Sequence, residues 1–145
     1  MPMSVWHCNG YGIKTGEIRG YSLEQLQKLL EKAPNFKKEM EDWFSECDIE
    51  EPTLEDYLDY DQDYYGGIAY ILKNVIKEAE DIDFTYCSDH NGVWYLILTP
   101  SYPWNMTNPK ELNLSEEKVK AIFMKYIEIL TDVVPNFDYW EVEDF

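Results

Sequence analysis

Three aspartates at alternate positions, Asp59, Asp61 and Asp63, form the pattern in this sequence that most resembles a chemical site. Alternating carboxylates begin the calcium loop of an EF-hand, where their oxygens converge on one hard cation. That loop also requires glycine at its sixth position and glutamate at its twelfth, whereas this chain has Tyr64 and Tyr70 there. We therefore predict no dedicated metal site, although carboxylates at this spacing can hold Ca²⁺ or Mg²⁺ weakly.

Histidine and cysteine side chains could supply a nucleophile, but their positions do not indicate one. Cys8 lies in a predicted strand and His90 in a predicted turn, and nothing in the sequence brings them within bonding distance. The chain has no C-x-x-C pair, no H-E-x-x-H, no G-x-S-x-G and no P-loop. A general acid and base cannot be singled out among 29 acidic residues. We therefore predict that the protein is not an enzyme, has no catalytic residue and needs no cofactor.

Acidic residues dominate the charged side chains, with 29 Asp and Glu against 12 Lys and Arg and a formal net charge of -17. Such a field repels nucleic-acid phosphates and anionic membranes and attracts basic surfaces. No lysine or arginine occurs from residue 39 to 72 or from residue 126 to 145. We predict that these stretches bind a basic partner, the first through Glu46, Asp48, Glu50, Glu51, Glu55, Asp56, Asp59, Tyr60, Asp61, Asp63 and Tyr64, and the second through Glu141, Glu143 and Asp144.

Two explanations of these base-free stretches remain open. Exposed helix faces usually mix both signs, because opposite charges at i and i+4 stabilise a helix by a few tenths of a kcal/mol. One explanation is solubility alone. The other is that the carboxylates stand where a nucleic-acid-binding protein expects phosphates, and so capture its lysines and arginines. Aromatic residues among the acids favour the second explanation unless they point into the core, since tyrosine and tryptophan anchor interfaces and attract arginine. They are Tyr57, Tyr60, Tyr64 and Tyr65 in the first stretch and Tyr139, Trp140 and Phe145 in the second.

Five helices that could position these residues are predicted from capping patterns and apolar periodicity. Ser22 and Gln25 form a capping-box pattern at the start of the first helix, and Pro34 ends it. Asn35 is predicted to cap a second helix that runs to about Cys47. The other three are a short helix capped by Thr53, an amphipathic helix over residues 68–80 and a long helix from Ser115 to about Val133.

Strand signals predict two hairpins and one C-terminal strand. The first hairpin spans residues 5–15 and turns at Asn9-Gly10, where the second glycine, Gly12, leaves a looser loop as the alternative. The second spans residues 84–99 and turns between Asp89 and Gly92. The last strand covers residues 137–143. Because strands and helices do not alternate one by one, we predict an α+β fold in which an antiparallel sheet of about 4-5 strands packs against about 4-5 helices.

Length and composition indicate a single folded domain, residues 1–145. The chain has 145 residues, and its 45% of apolar residues distinguishes it from a disordered sequence. No apolar run is long enough to cross a bilayer, and the first residues lack the features of a signal peptide. Cys8, Cys47 and Cys87 are an odd number of distant cysteines, which is typical of reduced thiols in a cytosol. We therefore expect a cytoplasmic protein that contacts neither membrane nor nucleic acid directly.

The stretch from GGIAYILK at residues 66–73 to YLILTPSYPW at residues 95–104 resembles small proteins carried by phages and prophages of Gram-positive bacteria. The resemblance covers about a quarter of the chain, and no catalytic motif comes with it. It implies a context, because small acidic phage-borne proteins are often inhibitors of host defence. Such inhibitors include anti-CRISPR proteins and restriction inhibitors that mimic DNA.

The charge pattern and the resemblance together predict an inhibitor that blocks the basic nucleic-acid-binding surface of a bacterial defence nuclease, with a CRISPR effector nuclease as the expected target. The alternative is an immunity-type or regulatory protein that binds another basic protein, and a small enzyme comes third. An immunity protein should neutralise one cognate toxin, whereas a DNA mimic should compete with nucleic acid. An enzyme should have a compact cleft with mutually bonded polar residues.

Overall fold

The computed structural model describes residues 6–18, 20–60, 67–89, 91–98, 115–132 and 135–144, with the backbone alone for residues 6–9 and 142–144. Within these ranges the chain has four strands and five α-helices, which confirms the predicted α+β class. No helix in these ranges is long and apolar enough to cross a membrane. The elements are β1 (Trp6–Lys14), α1 (Leu23–Leu30), α2 (Pro34–Glu46), α3 (Leu54–Leu58), α4 (Ile68–Glu80), β2 (Thr85–Ser88), β3 (Trp94–Leu98), α5 (Glu116–Leu130) and β4 (Asp138–Asp144), with one 3-10 turn, Thr15–Glu17, after β1.

Short-range capping starts three of the helices, as the sequence predicts. At α1 the Ser22 N–H donates to the Gln25 side chain at 2.8 Å, and the Gln25 N–H donates to the Ser22 hydroxyl at 3.2 Å. Thr53 and Asp56 form the same reciprocal pair at α3. The Ser115 hydroxyl accepts from the N–H of Lys118 at α5. Each cap satisfies backbone donors that the first turn of a helix leaves free.

The start of α2 differs from the prediction that Asn35 caps it. Ala33 is the N-cap residue, without a side-chain cap, and Pro34 is the first helical residue. Proline suits that position because it has no N–H to satisfy there. The next two N–H groups, of Asn35 and Phe36, donate to the carboxylate of Glu78 in α4 at 3.1 and 2.9 Å. The cap therefore comes from a distant helix and holds α2 against α4.

The sheet has the strand order β2-β3-β1-β4, and every pairing is antiparallel. β2 and β3 form the predicted hairpin, whose turn is stabilised by the Asp89 carboxylate. It accepts from the N–H of Asn91 at 2.8 Å and from the N–H of Val93 at 3.1 Å. The predicted C-terminal strand is present as β4, which pairs with β1 and forms one edge of the sheet among the described residues.

The predicted hairpin over residues 5–15 is wrong, because β1 is one continuous strand. It passes through Asn9-Gly10 without turning, pairing with β4 over residues 6–12 and with β3 over residues 11–14. A long strand shared by two ladders thus replaces the first hairpin.

Tertiary contacts explain why these glycines do not make a turn. Gly10 stands opposite Trp140 of β4, and the Trp140 indole N–H donates to the carbonyl of Gly12 at 2.9 Å. A Cβ atom at Gly12 would collide with the backbone of Leu96 in β3. The glycines therefore admit a neighbouring strand and an indole ring.

Two clusters of apolar residues lie on opposite faces of the sheet. The helices contribute to the larger cluster, which includes Ile13 of β1 and Leu96 of β3. The smaller cluster contains Cys87, Tyr95 and Ile97, with Trp140 packed against it. Cα atoms of β2 and β4 come within 8 Å of each other, so the sheet curls around this smaller cluster.

The long helix α5 ends before the predicted Val133. Its last helical residue is Leu130, and Thr131 has extended backbone angles with φ of -156°. Its buried residues, Val119, Phe123, Tyr126, Ile127 and Leu130, recur at helical spacing, as predicted for its inward face.

Candidate functional site

Most of the predicted partner-binding acids that the structure describes lie on α2, on α3 and in the loop between them, and Asp48 and Glu50 line one cleft. They are exposed, so their carboxylates are available to another molecule. Glu41, on the exposed face of α2, lies beside them. We call this group the α2–α3 acidic surface; its members are Glu41, Glu46, Asp48, Glu50, Glu51, Glu55 and Asp59.

The C-terminal end of α2 shapes this surface. The N–H of Ile49 donates to the carbonyl of Phe44 at 2.9 Å, and the N–H of Asp48 donates to the carbonyl of Ser45 at 3.2 Å. This is a Schellman motif, in which Asp48 takes the left-handed position with φ of 60°. Glycine is usual there, and aspartate is one of the few other residues that tolerate it.

The charges at this helix end are unfavourable for the helix itself. Carbonyl groups give the end of a helix a partial negative charge, which lysine or arginine usually complements. The last turn of α2 has no basic residue and contains Glu46, with Asp48 just beyond it. These two acids therefore lie where a carboxylate reduces helix stability.

An open cleft of about 610 Å³ lies within the α2–α3 acidic surface. Its walls combine exposed carboxylates with apolar side chains, of which Phe44 and Tyr57 are almost completely buried. A lysine or arginine side chain has a matching character, because its stem is apolar and its head is charged and donates hydrogen bonds. The lining residues are Glu41, Phe44, Ser45, Asp48, Ile49, Glu50, Pro52 and Tyr57.

Described basic residues of the chain form almost no ion pairs with this surface. Lys37 lies 4.0 Å from the carboxylate of Glu41, and both side chains are partly exposed. An exposed pair at that distance contributes little to stability. Within the described ranges, no lysine or arginine forms an ion pair with any other member of the α2–α3 acidic surface.

Aromatic rings beneath the acids hold α2 against α3. The rings of Phe44 and Tyr57 are 4.9 Å apart, and those of Trp43 and Tyr60 are 5.3 Å apart, both edge to face. Burial, followed by the negative charge of Glu39, raises the pKa of Tyr60 to about 12. Tyr60 is half-buried in this cluster, and its role in binding a partner stays a prediction.

The remaining predicted residues of the first stretch divide into two groups. The carboxylate of Asp56 is engaged in the cap of α3, where it accepts from the N–H of Thr53 at 2.8 Å. Asp61, Asp63 and Tyr64 lie outside the described residues. Of the three alternating aspartates, the structure therefore describes Asp59 alone. In the ranges that are described, no group of three His, Cys, Asp or Glu residues is arranged to hold a metal ion.

The second predicted surface follows β4 at the edge of the sheet. Glu141 is exposed, and the structure gives the backbone of Glu143 and Asp144. Asp138 and Tyr139 are exposed as well, and Tyr139 is the only large apolar side chain in the described ranges with an exposed fraction as high as 40%. Trp140 instead packs against the smaller core cluster. β4 therefore presents acids and one aromatic ring at the sheet edge.

A second cavity, of about 530 Å³, lies beside the 3-10 turn and is lined by residues that include Lys14, Glu17 and Trp94. Its charged groups already have partners. The ammonium of Lys14 lies 4.8 Å from the ring centroid of Trp140, and the Glu17 carboxylate accepts from the N–H of Asn136 at 2.7 Å.

Sequence reasoning missed the apolar part of the cleft. The sequence pattern alone does not identify Phe44, Ile49 or Pro52 as residues of a binding cleft. Ile49 is the one aliphatic residue between Cys47 and Thr53, and that isolated position is the local signal for an anchor in an acidic loop. The acids themselves were predictable from composition, whereas the cleft depends on the helix end that folds Ile49 back onto Phe44.

Comparison with models of known protein families finds no match, and comparisons with curated proteins and with solved structures find none either.

Proposed function

We propose that the protein is an inhibitor that occupies the basic nucleic-acid-binding surface of a bacterial defence nuclease. In this proposal the target is a CRISPR effector nuclease, and binding occurs in the cytoplasm of the bacterial host. The observation that carries the proposal is the α2–α3 acidic surface, whose exposed carboxylates have almost no basic partner in the described part of the chain. A partner's lysines and arginines would supply the missing positive charges.

The position of Glu46 and Asp48 supports a binding role over solubility alone. Solubility needs negative charge somewhere on the surface, and the N-terminal turns of helices would accept it at no cost. Glu46 instead lies in the last turn of α2 and Asp48 just beyond it, where their charge opposes the helix dipole. Acids at the C-terminal end of α2 are therefore better explained by a partner that needs negative charge there than by a general need for solubility.

The cleft adds a means of anchoring the partner. Exposed acids increase the rate of association with a basic surface, and this effect weakens as salt screens the charges. Affinity among related complexes depends mainly on slow dissociation, which needs a desolvated contact. An arginine with its stem against Ile49 and Pro52, which are partly exposed in the cleft, and its guanidinium beside Asp48 would provide such a contact.

A pull-down from bacterial lysate with a charge-reversal variant tests the proposal. The variant replaces Glu41, Asp48 and Glu50 with lysine, and the bound proteins are identified by mass spectrometry at low and moderate salt. We expect the wild-type protein to capture a basic nuclease that excess DNA or guide RNA displaces. The variant should bind it at least about 100-fold more weakly, which is about 2.7 kcal/mol spread over three reversed charges.

A matched control keeps the total charge change the same. Glu24 in α1, Glu31 just after it and Glu117 in α5 are exposed acids, and their replacement with lysine should leave capture intact. Equal loss in both variants would indicate a nonspecific effect of net charge and would refute the proposal. Capture of one toxin that nucleic acid does not displace would instead favour an immunity-type protein.

A further inference from the structure

Asparagine is followed by glycine at two places in this chain, Asn9-Gly10 and Asn91-Gly92, and the structure places the two pairs in different surroundings. Asparagine is one of the thermolabile residues of proteins. A glycine after it favours an attack of the backbone on the asparagine side chain, because glycine has no side chain that obstructs its own nitrogen. The two pairs therefore have the same local chemistry, and the fold decides which of them reacts.

This reaction needs rotational freedom of the backbone between the two residues. The glycine nitrogen loses its proton to a base in the solvent and attacks the carbonyl carbon of the asparagine side chain. A succinimide ring closes and ammonia leaves. Water then opens the ring at either carbonyl and gives aspartate or isoaspartate, in which the main chain runs through the former side-chain carbonyl. The rate depends on how often the attacking nitrogen and the carbonyl carbon meet in the right geometry.

Asn9-Gly10 lies where that freedom is absent. Both residues are inside β1, opposite Glu141 and Trp140 of β4. Gly10 is buried, so a base in the solvent does not reach its amide. The extended backbone must also rotate before the ring can close, which requires part of β1 to leave the sheet. The sheet therefore protects this pair.

Asn91-Gly92 lies in the turn between β2 and β3, and both residues are exposed. The attacking nitrogen is held by a turn hydrogen bond, since the Gly92 N–H donates to the carbonyl of Asp89 at 3.1 Å. Exposed turns open locally at a much lower cost in free energy than strands inside a sheet. The Gly92 nitrogen is therefore released toward the Asn91 side chain far more often than the Gly10 nitrogen is released from β1.

We propose that Asn91 is a site of spontaneous deamidation, at which the protein converts its own turn to an aspartate or isoaspartate form, whereas Asn9 is preserved. The Asp89 carboxylate makes the turn sensitive to this change, because it accepts from the N–H groups of Asn91 and Val93, on either side of the altered linkage. Isoaspartate lengthens the main chain between those two N–H groups. Either product also adds a negative charge beside Asp89, and like charges this close repel each other. Conversion therefore weakens the β2–β3 hairpin.

Peptide mapping of the full chain tests the proposal, because trypsin cuts after lysine and separates residues 1–14 from residues 78–110. The protein is aged at mildly alkaline pH in native buffer and in guanidinium chloride, and mass spectrometry with fragmentation measures the conversion of each asparagine. In native buffer Asn91 should convert at least about tenfold faster than Asn9, because β1 must open before Asn9 can react. In guanidinium chloride the two rates should agree within about twofold, since the fold then holds neither pair.

Two results in native buffer would overturn the proposal. Equal rates at Asn9 and Asn91 would show that the sheet does not protect the first pair. If Asn91 stayed intact in native buffer but converted in guanidinium chloride, the turn hydrogen bond to Asp89 would be holding the Gly92 nitrogen away from the side chain. The proposed function is judged separately, by the charge-reversal pull-down, which leaves both asparagines unchanged.

The variant Asn91→Gln separates the chemical change from other effects of ageing on the fold. Glutamine keeps the side-chain amide and the backbone N–H, but its longer side chain closes a ring much more slowly. After full conversion, the urea midpoint of the aged wild-type protein should lie roughly 0.5 M below that of the fresh protein, because hydrogen bonds of the turn are lost. The aged Asn91→Gln variant should keep its fresh midpoint. An unchanged midpoint in the fully converted wild-type protein, or an equal fall in the variant, would refute the link between Asn91 and the hairpin.

Discussion

Acidic residues are used differently on the two sides of this molecule. On the side of α4 and α5, carboxylates hold the structure together, since Glu80 accepts from the ammonium of Lys125 at 2.9 Å and from the hydroxyl of Tyr126 at 2.8 Å. Asp83 pairs with Lys73 at 2.9 Å. On the α2–α3 acidic surface the carboxylates face solvent. Lys37, 4.0 Å from Glu41, is the one described base that forms an ion pair with them.

Net charge alone therefore does not identify which acidic residues are available to a partner. Glu80 and Asp83 already have internal partners, so a basic molecule would compete with those bonds. On the α2–α3 acidic surface only Glu41 has such a partner among the described residues, and Glu41, Asp48 and Glu50 line a cleft with apolar walls. The following variants test whether the two regions differ in this way.

The largest effect is expected at the aromatic support of the acidic surface. Phe44 is 1% exposed and its ring contacts Trp43 and Tyr57. Phe44→Ala should lower the free energy of unfolding by about 3–5 kcal/mol, because a large core cavity is left behind. Urea denaturation measures the loss. A change below about 1 kcal/mol would mean that the surface is not built on this ring.

Removing a paired acid should have the next largest effect. Glu80→Ala leaves the buried hydroxyl of Tyr126 and the ammonium of Lys125 without their acceptor, and the expected loss of stability is about 1–3 kcal/mol. The matched change Asp59→Ala on the α2–α3 acidic surface should stay within roughly 0.5 kcal/mol, since that carboxylate is exposed. Equal losses from the two variants would remove the distinction between the regions.

High pH should weaken the fold through Tyr60. Its pKa of about 12 in the folded protein exceeds the ordinary value near 10, because burial, the charge of Glu39 and the neighbouring Tyr70 all disfavour the phenolate. The neutral phenol therefore contributes stability that is fully present below about pH 10 and is lost as pH rises through about 12. Tyr60→Phe should reduce the loss of stability measured by urea unfolding between those pH values. An identical loss in the variant would contradict this cause.

The smallest effect on stability is expected at the end of α2, where removing acidic charges should stabilise the fold. Glu46→Gln and Asp48→Asn remove charges that oppose the helix dipole, and asparagine keeps the left-handed backbone at residue 48. Each should raise the free energy of unfolding by roughly 0.3–1 kcal/mol while weakening capture of the partner. If the variant that carries both changes had a lower free energy of unfolding than the wild-type protein, these acids would be stabilising the fold.

The locally determined parts of the structure were predictable from the sequence. The capping boxes at Ser22 and Thr53 each involve residues only three positions apart, and the Asp89 turn closes within four residues. The apolar periodicity of α4 likewise needs no knowledge of distant partners. These elements follow from interactions that are complete within one turn or one hairpin.

The parts that depend on distant residues were not predictable in this way. Asn9-Gly10 has the local signature of a hairpin, yet the ring of Trp140 and the close approach of β3 at Gly12 keep β1 extended. The cap of α2 comes from Glu78, 42 residues from Phe36. In the candidate site, the acids could be named from composition, but the cleft required the contact between Phe44 and Tyr57.

The central claim is that the α2–α3 acidic surface takes the place of nucleic acid on a basic protein, and competition measures this directly. Fluorescence anisotropy of a labelled DNA or guide RNA bound to the captured nuclease would be followed as the protein is added. We expect the wild-type protein to displace the nucleic acid, and to do so less effectively as salt increases. The variant in which lysine replaces Glu41, Asp48 and Glu50 should not displace it. A ternary complex in which the nucleic acid stays bound to the nuclease at saturating wild-type protein would contradict the claim that the acidic surface replaces nucleic acid.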